Sequence, residues 1–183
     1  MIILDFETNT TNQYDVIEAA AVKIELVDGE YIIKDKFHRY YLSRYDVNPY
    51  SYAVHKLTPE LILNHRNKSK EKYASYFQED KDFTEFCKDA KTLVAHNISF
   101  ELRHIEYLAT FENHFCTMKE NKLIVKALNK NGRIKNPKLD ETCIHYGIDF
   151  DPDAYHSATY DVSKTFEILR CMNLSSSYSF KAI

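Results

Sequence analysis

Polar and apolar positions alternate from the first residue. Ile2, Leu4 and Phe6 fall on one side of an extended segment and Ile3, Asp5 and Glu7 on the other, which predicts a strand over 2–7. Residues 16–27 are rich in Val, Ile and Ala and predict a second strand. Asp28-Gly29 is a hairpin signal, and 30–37 returns as a third strand. The chain then changes period. Thr58-Pro59-Glu60 reads as an N-cap followed by proline at the first helical position. Residues 70–90 carry a further helical pattern with a break, and 91–95 form a short apolar run, a candidate central strand. Over 97–110, Ile98, Leu102, Ile105 and Ala109 share one helix face. Two more helices are expected over 117–128 and 138–146, joined by the Asn- and Lys-rich loop 129–137, with Gly147 as a C′ stop. A last helix is expected over 157–172. Strands first, then a strand among helices, imply a mixed sheet with helices on its faces.

Composition narrows the picture. The 183 residues, 44% hydrophobic and 28% charged, suit one folded domain, expected over 1–173 with a serine-rich tail over 174–183. No window approaches 18 uncharged apolar residues, so no spanning helix and no membrane partner is expected. The early Asp5 argues against a signal peptide, and a cytoplasmic protein is the simplest expectation. Cys87, Cys116, Cys143 and Cys171 are scattered without a Cys-x-x-Cys pair, which suits reduced, packed thiols. With glycine only at 29, 132 and 147, a dinucleotide fingerprint, a P-loop and a serine-hydrolase elbow are all excluded. The net charge is −3, yet residues 119–138 hold seven basic side chains and one acid. Such a strip suits a phosphate-bearing partner, and equally a solvated helix and loop.

Three acidic groupings stand out. Asp5 and Glu7 project from the same face of an apolar strand, where two unpaired carboxylates are costly unless a cation joins them or Glu7 has left the sheet. His96-Asn-Ile-Ser-Phe-Glu101 follows the candidate central strand. It places Glu101 in line with Ile98 and Ile105, either at a site by the sheet's end or at a helix's polar edge. In Tyr155-His-Ser-Ala-Thr-Tyr-Asp161, Asp161 sits in the first turns of the last helix, where an anion is favoured.

In this order the three groupings resemble the DEDDh family of 3′→5′ exonucleases, the proofreading group often termed DnaQ-like. Further segments join the resemblance: Ile17-Glu-Ala-Ala-Ala-Val22 to its second strand, His55-Lys-Leu-Thr-Pro-Glu60 to the part beside the terminal nucleotide, Cys116-Thr-Met118 to a strand end, and Leu139–Ile148 to the helix and turn before its third motif. Two positions depart from it: Glu101 stands where the family carries aspartate, and Asn9 follows Thr8 where glycine is frequent.

The resemblance implies an α/β, ribonuclease H-like fold: a mixed five-stranded sheet, its first three strands antiparallel, with helices on both faces. It implies two divalent cations, Mg²⁺ or Mn²⁺, held by Asp5, Glu7, Glu101 and Asp161, with His156 as general base. Phe6 and Thr8 would border the terminal sugar. His55, Leu57, Phe100 and Tyr155 are candidates for base contact, and Asn97 for orienting substrate or capping its helix. The implied partner is the 3′ end of a nucleic acid, DNA ahead of RNA with the choice left open by the sequence, and a polymerase or replication protein as a possible second partner. The basic strip would track the upstream backbone. The rival expectation, prompted by Glu101 and the acidic body, is a module that kept the fold, lost activity, and binds nucleic acid or a polymerase-type partner.

Overall fold

The computed structural model describes residues 1–174; beyond Leu174, the tail expected over 174–183 lies outside the described residues. Strand β1 (Ile2–Thr8) pairs antiparallel with β2 (Val16–Val27), which pairs antiparallel with β3 (Glu30–Tyr40). On its other side β1 runs parallel to β4 (Thr92–Ala95), and β4 parallel to β5 (Asn113–Cys116), giving the order β3-β2-β1-β4-β5. The mixed sheet with three leading antiparallel strands is therefore as expected. The β2–β3 turn places Asp28 at φ 52° and Gly29 at φ 82°, a pair of positive values that matches the strand twist.

The alternation in β1 divides the molecule into two layers. Ile2, Leu4 and Phe6 face a core with Ala19, Ala21, Leu93, Ala95, Phe77, Phe83 and Ile105. This face is covered by α3 (Lys81–Cys87) and α4 (Ile98–Ile105). On the opposite face Ile3, Ala20, Val22 and Val94 meet Ala158, Val162 and Leu169 of α8 (Ala158–Leu174). The outer side of α8 buries Ile168 and Met172 against Leu139 and Cys143 of α7 (Leu139–Tyr146). Among the described residues, no helix is long and apolar enough to cross a membrane. All four cysteines are free thiols.

Several elements differ from the expectation. A helix α1 (Pro49–His55) precedes α2 (Pro59–Lys68); Asn48 caps α1 by accepting from the Tyr50 and Ser51 N–H groups. Its exposed Tyr50 and Val54 mask the helical period. In 70–90 only a 3₁₀ turn (Phe77–Glu79) and α3 form. Asp80 starts α3 by accepting from the Asp82 and Phe83 N–H groups, while Arg39 and the Tyr41 hydroxyl hold the same carboxylate. Helix α4 stops at Ile105, short of 110, because the chain must return to start β5 beside β4. The segment 117–128 breaks at Asn121 into α5 (Thr117–Glu120) and α6 (Lys122–Val125), and Lys126, at φ 54°, ends the second. A single bridge, Leu128 to Ile134, closes the loop that follows.

Candidate active site

Because β1 and β4 are parallel, their carboxyl ends share one edge of the sheet. In open α/β sheets ligands gather at such an edge. Helix α4 begins two residues beyond β4, and α8 begins over the β1–β2 side. The cross-strand register places Asp5 opposite Ala20 and Glu7 opposite Glu18, and the pairing shifts between Glu7 and Thr8. Asp5, Glu7 and Glu18 thus share the face that α8 covers.

The last helix supplies the other side of the cleft. Donor atoms of Glu7, His156 and Asp161 lie within 4.8 Å of one another. His156 takes φ 66°, a left-handed backbone uncommon for a non-glycine residue, and its ring stacks on Tyr155 at 3.7 Å between centroids. The Asp161 carboxylate accepts from the His156 backbone N–H, which ties the strained residue to the helix that follows it. Burial lowers the His156 imidazole, and the Lys138 charge lowers it further, while Asp140 pulls the other way.

Burial is also the first cause of the raised carboxyl pKa values. It lifts Asp5, with Asp161 and then Glu18 adding repulsion, and it lifts Glu7, with Asp5, Asp161 and Glu18 adding to it. Asp161 is pushed up to about 7 by burial, against the His156 N–H and with help from Glu18. Glu101, buried on α4, reaches the backbone N–H of Phe6 with its extra methylene. Its carboxyl is raised by burial and by the charges of Asp5, Glu7 and Asp161. Among the described residues no lysine or arginine forms an ion pair with any of these four acids. Glu101 Oε2 and Asp161 Oδ1 are buried without a donor. At about 4 Å, each such pair of charges repels by about 4 kcal/mol at an effective dielectric of about 20. Hard divalent cations suit this donor set, which is carboxylate oxygen with one imidazole at its rim.

The remaining predicted residues take varied positions. Phe6 turns its ring into the core, edge-on to Phe77 at 5.0 Å, so only its backbone faces the acids. Thr8 is half-buried at the strand end. His55 is buried; Nδ1 accepts from the Leu57 N–H at 2.9 Å, and Nε2 has no partner. Its imidazole is lowered by burial first, with Glu18 raising it and His156 lowering it. The Leu57 side chain packs with Ile17 and Ile62. Phe100 is half-buried against His104, with ring centroids 4.8 Å apart. Asn97 is exposed, and its side chain caps nothing; its backbone oxygen instead accepts from the Phe100 and Glu101 N–H groups. A cavity of about 540 Å³ lies between His55 and Lys56 on one wall and Tyr155, His156 and Tyr160 on the other.

Glu18 was not singled out from sequence as a site residue. The available signal was an acid inside the apolar run 16–22, at a position whose strand neighbours are all buried.

A family model described as Exonuclease matches residues 2–169. No curated protein sequence matches. Among solved structures, Exonuclease X in complex with 5′-overhanging duplex DNA superposes with a TM-score of 0.60 at 18% identity, covering 97% of this chain and 93% of that one. Escherichia coli Exonuclease I in complex with a dT13 oligonucleotide superposes with a TM-score of 0.71 at 16% identity. There the match covers 94% of this chain and 40% of the other. Exonuclease I from Methylocaldum szegediense gives 0.71 at 15% identity, covering 96% and 40%.

Proposed function

Since the chain belongs to the exonuclease family, we propose that it is a metal-dependent 3′→5′ exonuclease of the DEDDh type that removes nucleoside 5′-monophosphates from single-stranded or frayed DNA. The observation that carries this reading is the convergence of Asp5, Glu7, Glu101 and Asp161, with His156 beside them and, among the described residues, no lysine or arginine ion-paired with them. Two divalent cations, Mg²⁺ or Mn²⁺, bound by these acids would stabilise the attacking and leaving oxygens of an in-line displacement.

The protein's own part is to hold and move protons and to place the strand end. His156 accepts the proton of the attacking water. Its imidazole is lowered by burial and by Lys138, so it is neutral and ready to accept at neutral pH. The water oxygen bonds to phosphorus, the bond from phosphorus to the upstream 3′ oxygen breaks, that oxygen takes a proton from solvent to become the new 3′-hydroxyl, and the terminal nucleotide leaves with its 5′-phosphate. Backbone atoms at Phe6 and Thr8 border the terminal sugar, and the His55–Tyr155 cavity receives the terminal nucleotide. The exposed lysines and arginine of 119–138 track the upstream phosphates. DNA is favoured over RNA because the structural neighbours were captured with a DNA duplex overhang and with a dT oligonucleotide. The rival reading of a fold without activity turned on Glu101. That carboxylate takes the Phe6 N–H and stands in the field of the other three acids, which supports the enzyme.

The test is a panel of single- and double-stranded DNA and RNA, with 3′ ends free or blocked, in Mg²⁺ or Mn²⁺. Mononucleotides should appear from free 3′ ends, DNA first, and chelator should stop the reaction. Asp161→Ala should abolish turnover, and His156→Ala should slow it about 100-fold or more while sparing metal binding. Activity persisting in excess chelator, or starting from the 5′ end, overturns the reading.

A further inference from the structure

Glu18 sits directly across from Glu7 in the β1–β2 register, yet its surroundings differ from those of the four acids above. It is 1% exposed, and protein donors reach both of its oxygens. Oε2 accepts from the Ala158 backbone N–H at 3.3 Å. Oε1 accepts from the Ser157 hydroxyl at 3.4 Å and lies 2.8 Å from His38 Nε2, a donor when that nitrogen carries the proton. The Tyr40 hydroxyl bonds the same carboxylate. Glu101 and Asp161, in contrast, each keep a buried oxygen without a donor. The site therefore contains acids open to a cation and one acid whose oxygens are already engaged.

The position of those donors gives Glu18 its meaning. Ser157 and Ala158 lie between His156 and Asp161, at the point where a left-handed residue passes into α8. The first N–H groups of a helix need acceptors from elsewhere, and an anion is favoured there. Glu18 supplies both from β2, an interior strand of the sheet, while His38 and Tyr40 on the edge strand β3 hold its far side. We propose that Glu18 is a positioning residue: it pins the start of α8 to the sheet and so sets His156 and Asp161 in register with Asp5 and Glu7. The claim rests on the proposed nuclease reading for its kinetic readout, but has a second readout that does not.

Glutamine at this position keeps an oxygen for the Ala158 N–H. Its amide NH₂ then faces Ser157 Oγ and His38 Nε2, both of which can accept. Alanine keeps nothing. Glu18→Ala should lower kcat about 30-fold with KM for a dT oligonucleotide within about threefold, because misplacement of the reacting groups costs rate rather than binding. It should also raise the Mg²⁺ concentration needed for half-maximal rate. Glu18→Gln should restore kcat to within about threefold of the parent. If Glu18→Ala does not fold, Glu18→Met fills the volume without the acceptor and carries the same expectation. Where the parent releases no nucleotide from any substrate, the nuclease reading fails. The positioning claim is then read from the rise in thermal midpoint on adding Mg²⁺, which alanine should diminish and glutamine should keep. Parent-like kcat and Mg²⁺ response in both Glu18→Ala and Glu18→Met overturns the proposal. So does a loss in Glu18→Gln as large as in Glu18→Ala, which would assign the role to the charge itself.

Discussion

Asp161 shows how one side chain is tuned against its own stability. Its carboxyl is buried, accepts one backbone N–H, and stands beside Glu7 and near Asp5 and Glu18. A raised carboxyl favours the protonated form in the folded chain, so without a cation this group stabilises the fold below the usual carboxylate range. That contribution fades as pH climbs toward 7. Asp161→Asn removes the charge and keeps the shape. In chelator at pH 8, its thermal midpoint should exceed that of the parent by about 2–4 °C for each kcal/mol of repulsion relieved. Turnover should vanish in the same variant. Differential scanning calorimetry with an activity assay checks both, and a lower midpoint in chelator would show that the acids do not repel. Added Mg²⁺ should raise the parent midpoint more than that of the variant, as binding to the folded state alone requires.

The elements divide by how their burial is patterned. Strand β1, the β2–β3 hairpin, α2 and α7 were legible because alternation, a turn dipeptide, a Thr-Pro entry and a glycine stop are local signals. Helix α1 was not, and β5 was reached only through the family resemblance, which set a strand end at Cys116. Helix α1 exposes its apolar residues, and β5 is four residues, only Cys116 of them buried, whose strand character comes from β4 beside it. The long helix expected over 117–128 fails at Asn121, whose side chain bonds the Thr117 carbonyl oxygen and receives the Tyr146 hydroxyl from α7. Pairings of this kind join distant segments and leave no local period.

His96, just past β4, is a further tertiary joint. Its Nδ1 meets Thr117 Oγ1 at 3.0 Å, and Nε2 meets the Pro137 carbonyl at 3.2 Å. Burial lowers its imidazole to about 4, so the folded chain favours the neutral ring. A depressed imidazole stabilises above the ordinary value of 6.5, and the contribution is lost as pH falls from there to about 4. Between pH 7 and pH 5 the loss should be on the order of 2 kcal/mol. Urea unfolding at the two pH values should show His96→Asn with a smaller acid loss than the parent, and equal losses would refute the assignment.

At the scale of the whole molecule, charge is segregated. The net −3 hides the seven basic residues of 119–138; among the described residues Lys135 pairs with Glu141, the one ion pair of the strip. Lys122, Lys126, Lys130 and Arg133 are exposed, and Lys138 is close enough to His156 to lower its imidazole. If this arm follows a single strand away from the cleft, neutralising Lys130 and Arg133 should reduce the slope of log affinity against log salt by about 1.4. Rates at saturating oligonucleotide should change little. Fluorescence anisotropy across a salt series measures the slope, and an unchanged slope removes the arm from the path. The acidic site itself was readable as three separated motifs because each acid breaks an apolar or small-residue context. Glu18 also interrupts an apolar run, but its bonds to α8 and to His38 on β3 come from distant segments and leave no mark in the run itself.

The first strand and the last helix each carry part of the cleft. Until that helix docks, Asp5 and Glu7 face no His156 and no Asp161, and the cleft has only one of its walls. The acidic grouping therefore exists only where the first strand and the last described helix have met across the sheet.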